Sequence, residues 1–167
     1  MTTFRQLEEA DIELISGEFI KAGLQKEPSL FRMYLKEQTS GKRLVLLAFS
    51  EDSIAGYSTI NWESDYPYFK QNNIPEIMDL NVLPQYRGKK IGYLLLQKCE
   101  QEIAKKSSIA GLGVGLYKDY GAAQKLYISC GYMPDRQGIT YNYNEAKAGA
   151  NVRIDDDLVL WLTKGLE

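Results

Sequence analysis

Histidine is absent from this 167-residue chain. That absence removes the Ser-His-Asp and Cys-His routes to an activated nucleophile, together with the commonest transition-metal ligand. Acid and base work falls to Asp, Glu, Tyr or Lys, and no metal is expected. Cysteine is nearly as scarce: Cys99 and Cys130 stand far apart with no Cys-x-x-Cys pair, each in a helical pattern where a small apolar residue packs well. An excess of one charge is lacking too, since 20 Lys and Arg stand against 22 Asp and Glu for a net charge of −2. No overall field draws the chain to nucleic acid or an anionic membrane, so an anion site has to be built locally. The apolar run Leu44 to Phe49 cannot span a bilayer, and Met1 to Arg5 lacks the pattern of a signal peptide. A cytoplasmic protein is expected, with neither a nucleic-acid nor a membrane partner.

What is present suits a globular protein. Hydrophobic residues at 44% and charged residues at 25% support an ordinary core. With no repeat and no linker, residues 1–167 are expected to form a single domain. Glu8, Glu9 and Asp11 open a first helix whose apolar face is Ile12, Leu14, Ile15, Phe19 and Ile20, and Leu30 to Lys36 adds a shorter one. Arg43 to Ser50 and Ile54 to Trp62 read as an antiparallel hairpin, the all-apolar first strand being central and covered on both faces. Asn61 to Pro75 is a long aromatic insertion, read as a functional loop. Strand Ile77 to Leu83 leads into an amphipathic helix from about Lys89 to Lys106, with Ile91, Leu95, Cys99 and Ile103 stacked at helical spacing. Ile109 to Leu116 is strand-like, and Gly121 to Cys130 is a helix closed by Gly131. Strands Ile139 to Tyr143 and Leu158 to Thr163 complete a three-layer α/β order.

The long helix opens against its own dipole. Arg87, Lys89 and Lys90 occupy a first turn where Asp or Glu is favoured. Free N–H groups at a helix start bind phosphate, and Gly88 lets the backbone come close, so the segment reads as a pyrophosphate cradle. The competing reading is a solvated basic turn. The spacings of the nucleotide P-loop and of Rossmann dinucleotide sites are both missing.

The segment Asp79-Leu-Asn-Val-Leu-Pro-Gln85-Tyr-Arg-Gly88-Lys-Lys90-Ile-Gly92-Tyr-Leu-Leu-Leu96 resembles the strand, pyrophosphate loop and helix of GNAT acetyltransferases. Gln85 and Gly88 match that family's Gln/Arg-x-x-Gly-x-Gly/Ala loop, and Lys90 replaces its last small residue. Tyr120-Gly-Ala-Ala123-Gln-Lys-Leu126-Tyr127-Ile-Ser-Cys-Gly131-Tyr132 is similar to the family's Asn-x-x-Ala-x-x-Leu-Tyr helix, with Tyr120 where Asn is usual. The close resemblance spans Glu76 to Tyr132. It implies an α-β-α sandwich with a mixed, largely antiparallel sheet of six to seven strands. It also implies acetyl-CoA as cosubstrate, held by Leu80, Asn81, Val82, Gln85, Arg87, Gly88, Lys89, Lys90, Ile91, Gly92, Tyr93, Tyr120, Gly121, Ala123 and Tyr127.

Acyl transfer to an amine needs the neutral nucleophile. Deprotonating a lysine-like amine at pH 7 costs about 4.6 kcal/mol, and leaving the departing thiol unprotonated costs about 2 kcal/mol, so a base matters more than an acid. Glu76 and Asp79 are the candidate bases. Lying three apart on a strand they face opposite ways, and Glu76 is preferred because its place resembles that of the family's glutamate base. An exposed strand-end carboxylate is the plain alternative for Glu76, and a structural role for Asp79. Tyr127 matches the tyrosine that protonates the coenzyme sulfur, or it is core. The alternating Gly111, Gly113 and Gly115 leave one strand face bare, for a pantetheine or acceptor groove or for close packing. Trp62, Tyr66, Tyr68, Phe69 and the Asp155-Asp156-Asp157 run suit a small-molecule or peptide amine, though short charge runs usually face water. A homodimer is allowed. The rival readings are a non-catalytic coenzyme A or acyl-CoA binding module and a nucleic-acid-binding domain, the second opposed by the net negative charge.

Overall fold

A computed structural model describes residues Met1–Glu167. In chain order the elements are β1 (Thr2–Gln6), α1 (Ile12–Lys21), α2 (Pro28–Thr39), β2 (Arg43–Ser50), β3 (Ser53–Asn61), α3 (Pro67–Gln71), β4 (Glu76–Val82), α4 (Ile91–Ala104), β5 (Ile109–Gly115), α5 (Gly121–Ser129), β6 (Met133–Tyr141), β7 (Asn144–Glu145) and β8 (Leu158–Gly165). The class is the mixed α/β expected, mostly antiparallel, but with eight strands in place of six to seven. No helix is long and apolar enough to cross a membrane. The chain divides into two compact units, residues 1–62 with 77–102 and residues 63–76 with 103–167.

In the first unit β2 lies between β1 and β3, antiparallel to both, and six of its eight residues are buried. Its continuous apolar run is what a central strand requires. The β2–β3 turn is the two residues Glu51 and Asp52, with Glu51 left-handed at φ 56°. Before α1, the Asp11 carboxylate accepts from the Glu8 N–H at 2.9 Å and from two Arg5 nitrogens at 2.6 Å each, satisfying a free donor of the turn. Proline at the first position of α2 suits a helix start, where an N–H has no intrahelical partner anyway. Phe19 and Phe31 meet the Tyr57 ring edge-on at 5.3 and 5.2 Å, and with Val45 and Leu47 they form the buried core of this unit.

In the second unit β8 pairs antiparallel with β5 and with β6. The β6–β8 register breaks between Pro134 and Ile139, where Pro134 has no N–H and Arg136 and Gly138 are left-handed at φ 70° and 79°. The turn into β7 places Asn142 and Tyr143 at φ 49° and 65°, the doubly left-handed geometry of a tight hairpin. After α5 the chain turns at Gly131, φ 92°, while Tyr132 N–H returns to the Tyr127 carbonyl at 3.0 Å, the glycine cap read from the sequence.

The aromatic insertion is not an open loop. It forms α3 and a buried cluster in which Tyr66 stacks on Trp161 at 4.1 Å and Phe69 meets the same indole edge-on at 5.3 Å. The bare glycine face of β5 is likewise filled by rings of the chain itself. A Cβ on Gly111 would lie 2.3 Å from Phe69, one on Gly113 2.7 Å from Val159 and 3.0 Å from Trp161, and one on Gly115 2.3 Å from Tyr120. Close packing, and not a ligand groove, accounts for these glycines.

In the first unit Gly56 is crowded by backbone, because an added Cβ would sit 2.4 Å from the Asn81 carbonyl oxygen and 3.1 Å from Val82 Cα. Gly56→Ala is therefore expected to lower stability by about 1–3 kcal/mol in urea unfolding, because β4 itself has to move.

Candidate active site

Strand β4 leaves the sheet through Leu83, whose N–H donates to the Ala55 carbonyl at 2.9 Å, and a turn of 3₁₀ helix at Pro84–Tyr86 follows. Arg87 is then extended, Gly88 is left-handed at φ 74° and Lys90 is left-handed at φ 63°. The first bond of α4 runs from the Leu94 N–H to the Lys90 carbonyl at 3.0 Å, so the N–H groups of Ile91, Gly92 and Tyr93 precede the helical ladder. The turn thus sets two left-handed residues just ahead of three backbone N–H groups that lie outside the helical ladder.

The basic side chains stay beside this turn. The Arg87 Nε donates to the Val82 carbonyl at 3.1 Å, and the Lys89 ammonium lies 5.2 Å from the centre of the Tyr86 ring. Gln85, Lys89, Lys90 and Tyr93 are exposed, the Tyr93 hydroxyl accepting from the Gln97 amide at 2.7 Å. Behind the turn the buried stripe Ile91, Leu95, Cys99 and Ile103 follows the predicted spacing. Burial pushes the Cys99 thiol up to about 12, as befits a packing residue.

Midway along β4, Asp79 is left-handed at φ 53°, which breaks the two-residue alternation of the strand. Past such a residue, strand alternation no longer sets Glu76 and Asp79 on opposite faces. Four donors meet on the Asp79 carboxylate: Lys26 Nζ at 2.7 Å, Asn81 Nδ2 at 2.6 Å, Tyr57 OH at 2.5 Å and Tyr34 OH at 3.0 Å. A carboxylate offers about four acceptor positions, so this one is saturated. Burial, and next the Asp79 charge, push both tyrosine hydroxyls above their ordinary value and keep them protonated donors. Beside them the Arg43 guanidinium stacks on Tyr34 at 4.6 Å and donates to Glu37 and Thr59 at 2.5 and 2.8 Å. No local pattern announced Lys26, Tyr34 or Tyr57 as partners of this carboxylate.

Glu76, at the start of β4, is 4% exposed, so the exposed strand-end carboxylate is not what the chain contains. Its Oε2 accepts from the Ser64 hydroxyl at 2.5 Å. Tyr127 on α5 is 8% exposed, its ring 6.2 Å from that of Tyr132. Gly121 opens the same helix and Ala123 is half-buried in it. Tyr120, just before them, covers Gly115 and donates to Asp156 Oδ1 at 2.8 Å, an oxygen that Tyr117 shares. Asp155 accepts from Tyr141 OH and from the Asp157 N–H, each at 3.0 Å, so part of the aspartate run is committed to tyrosines and turn backbone. Tyr66 and Phe69, candidate acceptor contacts, are committed to the core of the second unit. Leu80, Asn81 and Val82 are half-buried.

Lys90 combines a left-handed backbone with an exposed charge at the start of α4. Lys90→Gly is expected to stabilise the fold by about 0.5–1 kcal/mol in urea unfolding, since a left-handed lysine costs more than the flexibility that glycine adds. The same variant is expected to bind acetyl-CoA a few-fold more weakly by calorimetry, so the two effects have opposite sign.

The sequence matches the acetyltransferase (GNAT) family over residues 11–132. No curated protein is similar enough in sequence to count as a relative. Solved structures similar to this chain include an N-acetyltransferase from Staphylococcus aureus Mu50, 17% identical with a TM-score of 0.73 over 100% of this chain and 99% of that one. The Escherichia coli ribosomal-protein-S18-alanine N-acetyltransferase is 18% identical with a TM-score of 0.70, covering 99% of this chain and 94% of that one. YncA from Salmonella typhimurium, solved with its cofactor acetyl-CoA, is 18% identical with a TM-score of 0.69 over the same shares. At such identities the likeness is one of fold, whereas the family match spans most of the sequence: this chain belongs to the GNAT family of acetyltransferases.

Proposed function

We propose that residues 1–167 act as one acetyltransferase domain that passes the acetyl group of acetyl-CoA directly to a primary amine of a peptide or small molecule. The observation that carries the reading is the turn before α4. Two left-handed residues and three first-turn N–H groups lie among Arg87, Lys89 and Lys90, an arrangement that opposes the helix dipole unless an anion is held there. Gln85 and the residues from Arg87 to Tyr93 would hold the pyrophosphate of acetyl-CoA. Tyr120, Gly121 and Ala123 would line the coenzyme further along. When bound, acetyl-CoA supplies an acetyl group already activated as a thioester.

The chain's own groups do the rest. Glu76 takes the proton from the attacking amine. The Tyr127 hydroxyl holds the proton that the departing sulfur needs, and the backbone around Leu80 to Val82 supplies N–H groups for the acyl oxygen. Asp79 is assigned to position β4 and not to act as base, because each acceptor position on its carboxylate is already taken. A peptide amine is favoured as acceptor: the Escherichia coli neighbour and one from Brucella melitensis are ribosomal-protein-alanine N-acetyltransferases. A cytoplasmic location and a homodimer belong to the same proposal.

Calorimetric titration with acetyl-CoA, paired with thiol release over a panel of amines that includes a peptide with an unblocked N-terminal alanine, tests the reading. Binding with release supports transfer; binding without release supports a non-catalytic acyl-CoA module; no binding at millimolar coenzyme removes both. With a lysine-like amine as acceptor, Glu76→Gln is expected to lower kcat by about 100-fold or more and Tyr127→Phe by about 10-fold, following the larger cost of deprotonating an amine of that basicity. Equal or reversed losses overturn the two assignments.

A further inference from the structure

The geometry points to Ser64 as the positioning residue for the Glu76 carboxylate, an assignment that rests on Glu76 being the base. Ser64 and Glu76 are 1% and 4% exposed, and the Ser64 oxygen lies 2.5 Å from Glu76 Oε2. The direction of this bond follows from the partners. The Tyr66 N–H donates to the same serine oxygen at 3.1 Å, so that contact uses a lone pair and leaves the single hydroxyl proton for the carboxylate. A bond donated to a carboxylate favours its ionised form, the only form that can take up a proton, and it also restricts the carboxyl rotamer.

Tyr66 in turn is held at three points. Its N–H is on Ser64, its ring is stacked on Trp161 at 4.1 Å and 5°, and its hydroxyl donates to the buried Asp135 at 2.8 Å. Asp135 is itself fixed, accepting the Gln137 N–H at 2.9 Å. The insertion's aromatic residues, which read from sequence as an acceptor loop, thus form a brace that ends on the carboxylate. Of the charged residues of the insertion, Glu63 and Lys70 are exposed and paired with each other at 3.2 Å, and Asp65 is exposed.

Ser64→Ala, Ser64→Thr, Glu76→Gln and the double variant Ser64→Ala with Glu76→Gln decide the matter. With the N-terminal alanine peptide as acceptor, Ser64→Ala is expected to lower kcat about tenfold with KM for acetyl-CoA unchanged. Ser64→Thr, which keeps the hydroxyl, restores most of the rate. In the Glu76→Gln background Ser64→Ala has no further effect, because a residue that acts through another is silent once that partner is gone. Independently of any acceptor, carbon NMR of the Glu76 carboxyl, assigned by its loss in Glu76→Gln, is expected to show its midpoint rising by about one pH unit in Ser64→Ala. Should Ser64→Ala fail to fold, Ser64→Cys, with its weaker donor, is read by the same two measurements. An unmoved midpoint, or a Ser64→Ala loss of equal size with and without Glu76, overturns the assignment. A slow Glu76→Gln beside a fully active Ser64→Ala removes the positioning role alone, whereas a fully active Glu76→Gln removes the base and this inference together.

Discussion

The carboxylate of Asp79 is the constraint on which the first unit depends. It draws a lysine from the α1–α2 connection, a tyrosine from α2, a tyrosine from β3 and an asparagine from β4 itself onto two oxygen atoms. A left-handed aspartate in mid-strand costs about 1–3 kcal/mol and persists only where its surroundings over-determine it. Here four donors do so. Lys26 is tied in further, since its own carbonyl accepts from the buried Ser16 hydroxyl at 2.7 Å. The bend in β4 is thus set by segments far apart in sequence, and the backbone from Leu80 to Val82 leaves that bend along one fixed course toward the turn before α4.

The second unit solves a different problem with rings. Its strand β5 carries three glycines on one face, which alone would leave a trough in the sheet. Phe69, Trp161 and Tyr120 lie in that trough. Tyr120 thereby has a packing reason to stand where the family usually has asparagine: its ring covers Gly115 and its hydroxyl reaches Asp156. This departure from the family's pattern has a sufficient cause in local packing.

Much of the fold was legible because periodicity and turn chemistry are local. The apolar stripe of α4, the hairpin of β2 and β3 and the glycine cap of α5 all stand where their patterns predict. Helix α3 was hidden because five residues are too few to show a period, and β7 because it has only two. The first half of β6 was hidden by Pro134, Arg136 and Gly138, which read as loop and are indeed an irregularity inside the strand. At the candidate site, the basic turn before α4 was legible from charge placed against a dipole. The partners of Asp79 and the serine on Glu76 were not, because each is a meeting of side chains that sequence spacing cannot express.

The two left-handed residues before α4 carry a consequence for affinity. A turn that stayed mobile until its anion arrived would lose, on association, the free energy of ordering its backbone. In this chain Gly88 and Lys90 hold the turn in shape as part of the native fold, so that cost falls on folding. In the proposed role of this turn as the coenzyme's anion site, capture then needs few contacts to be effective, and a substitution that only loosens the turn weakens it.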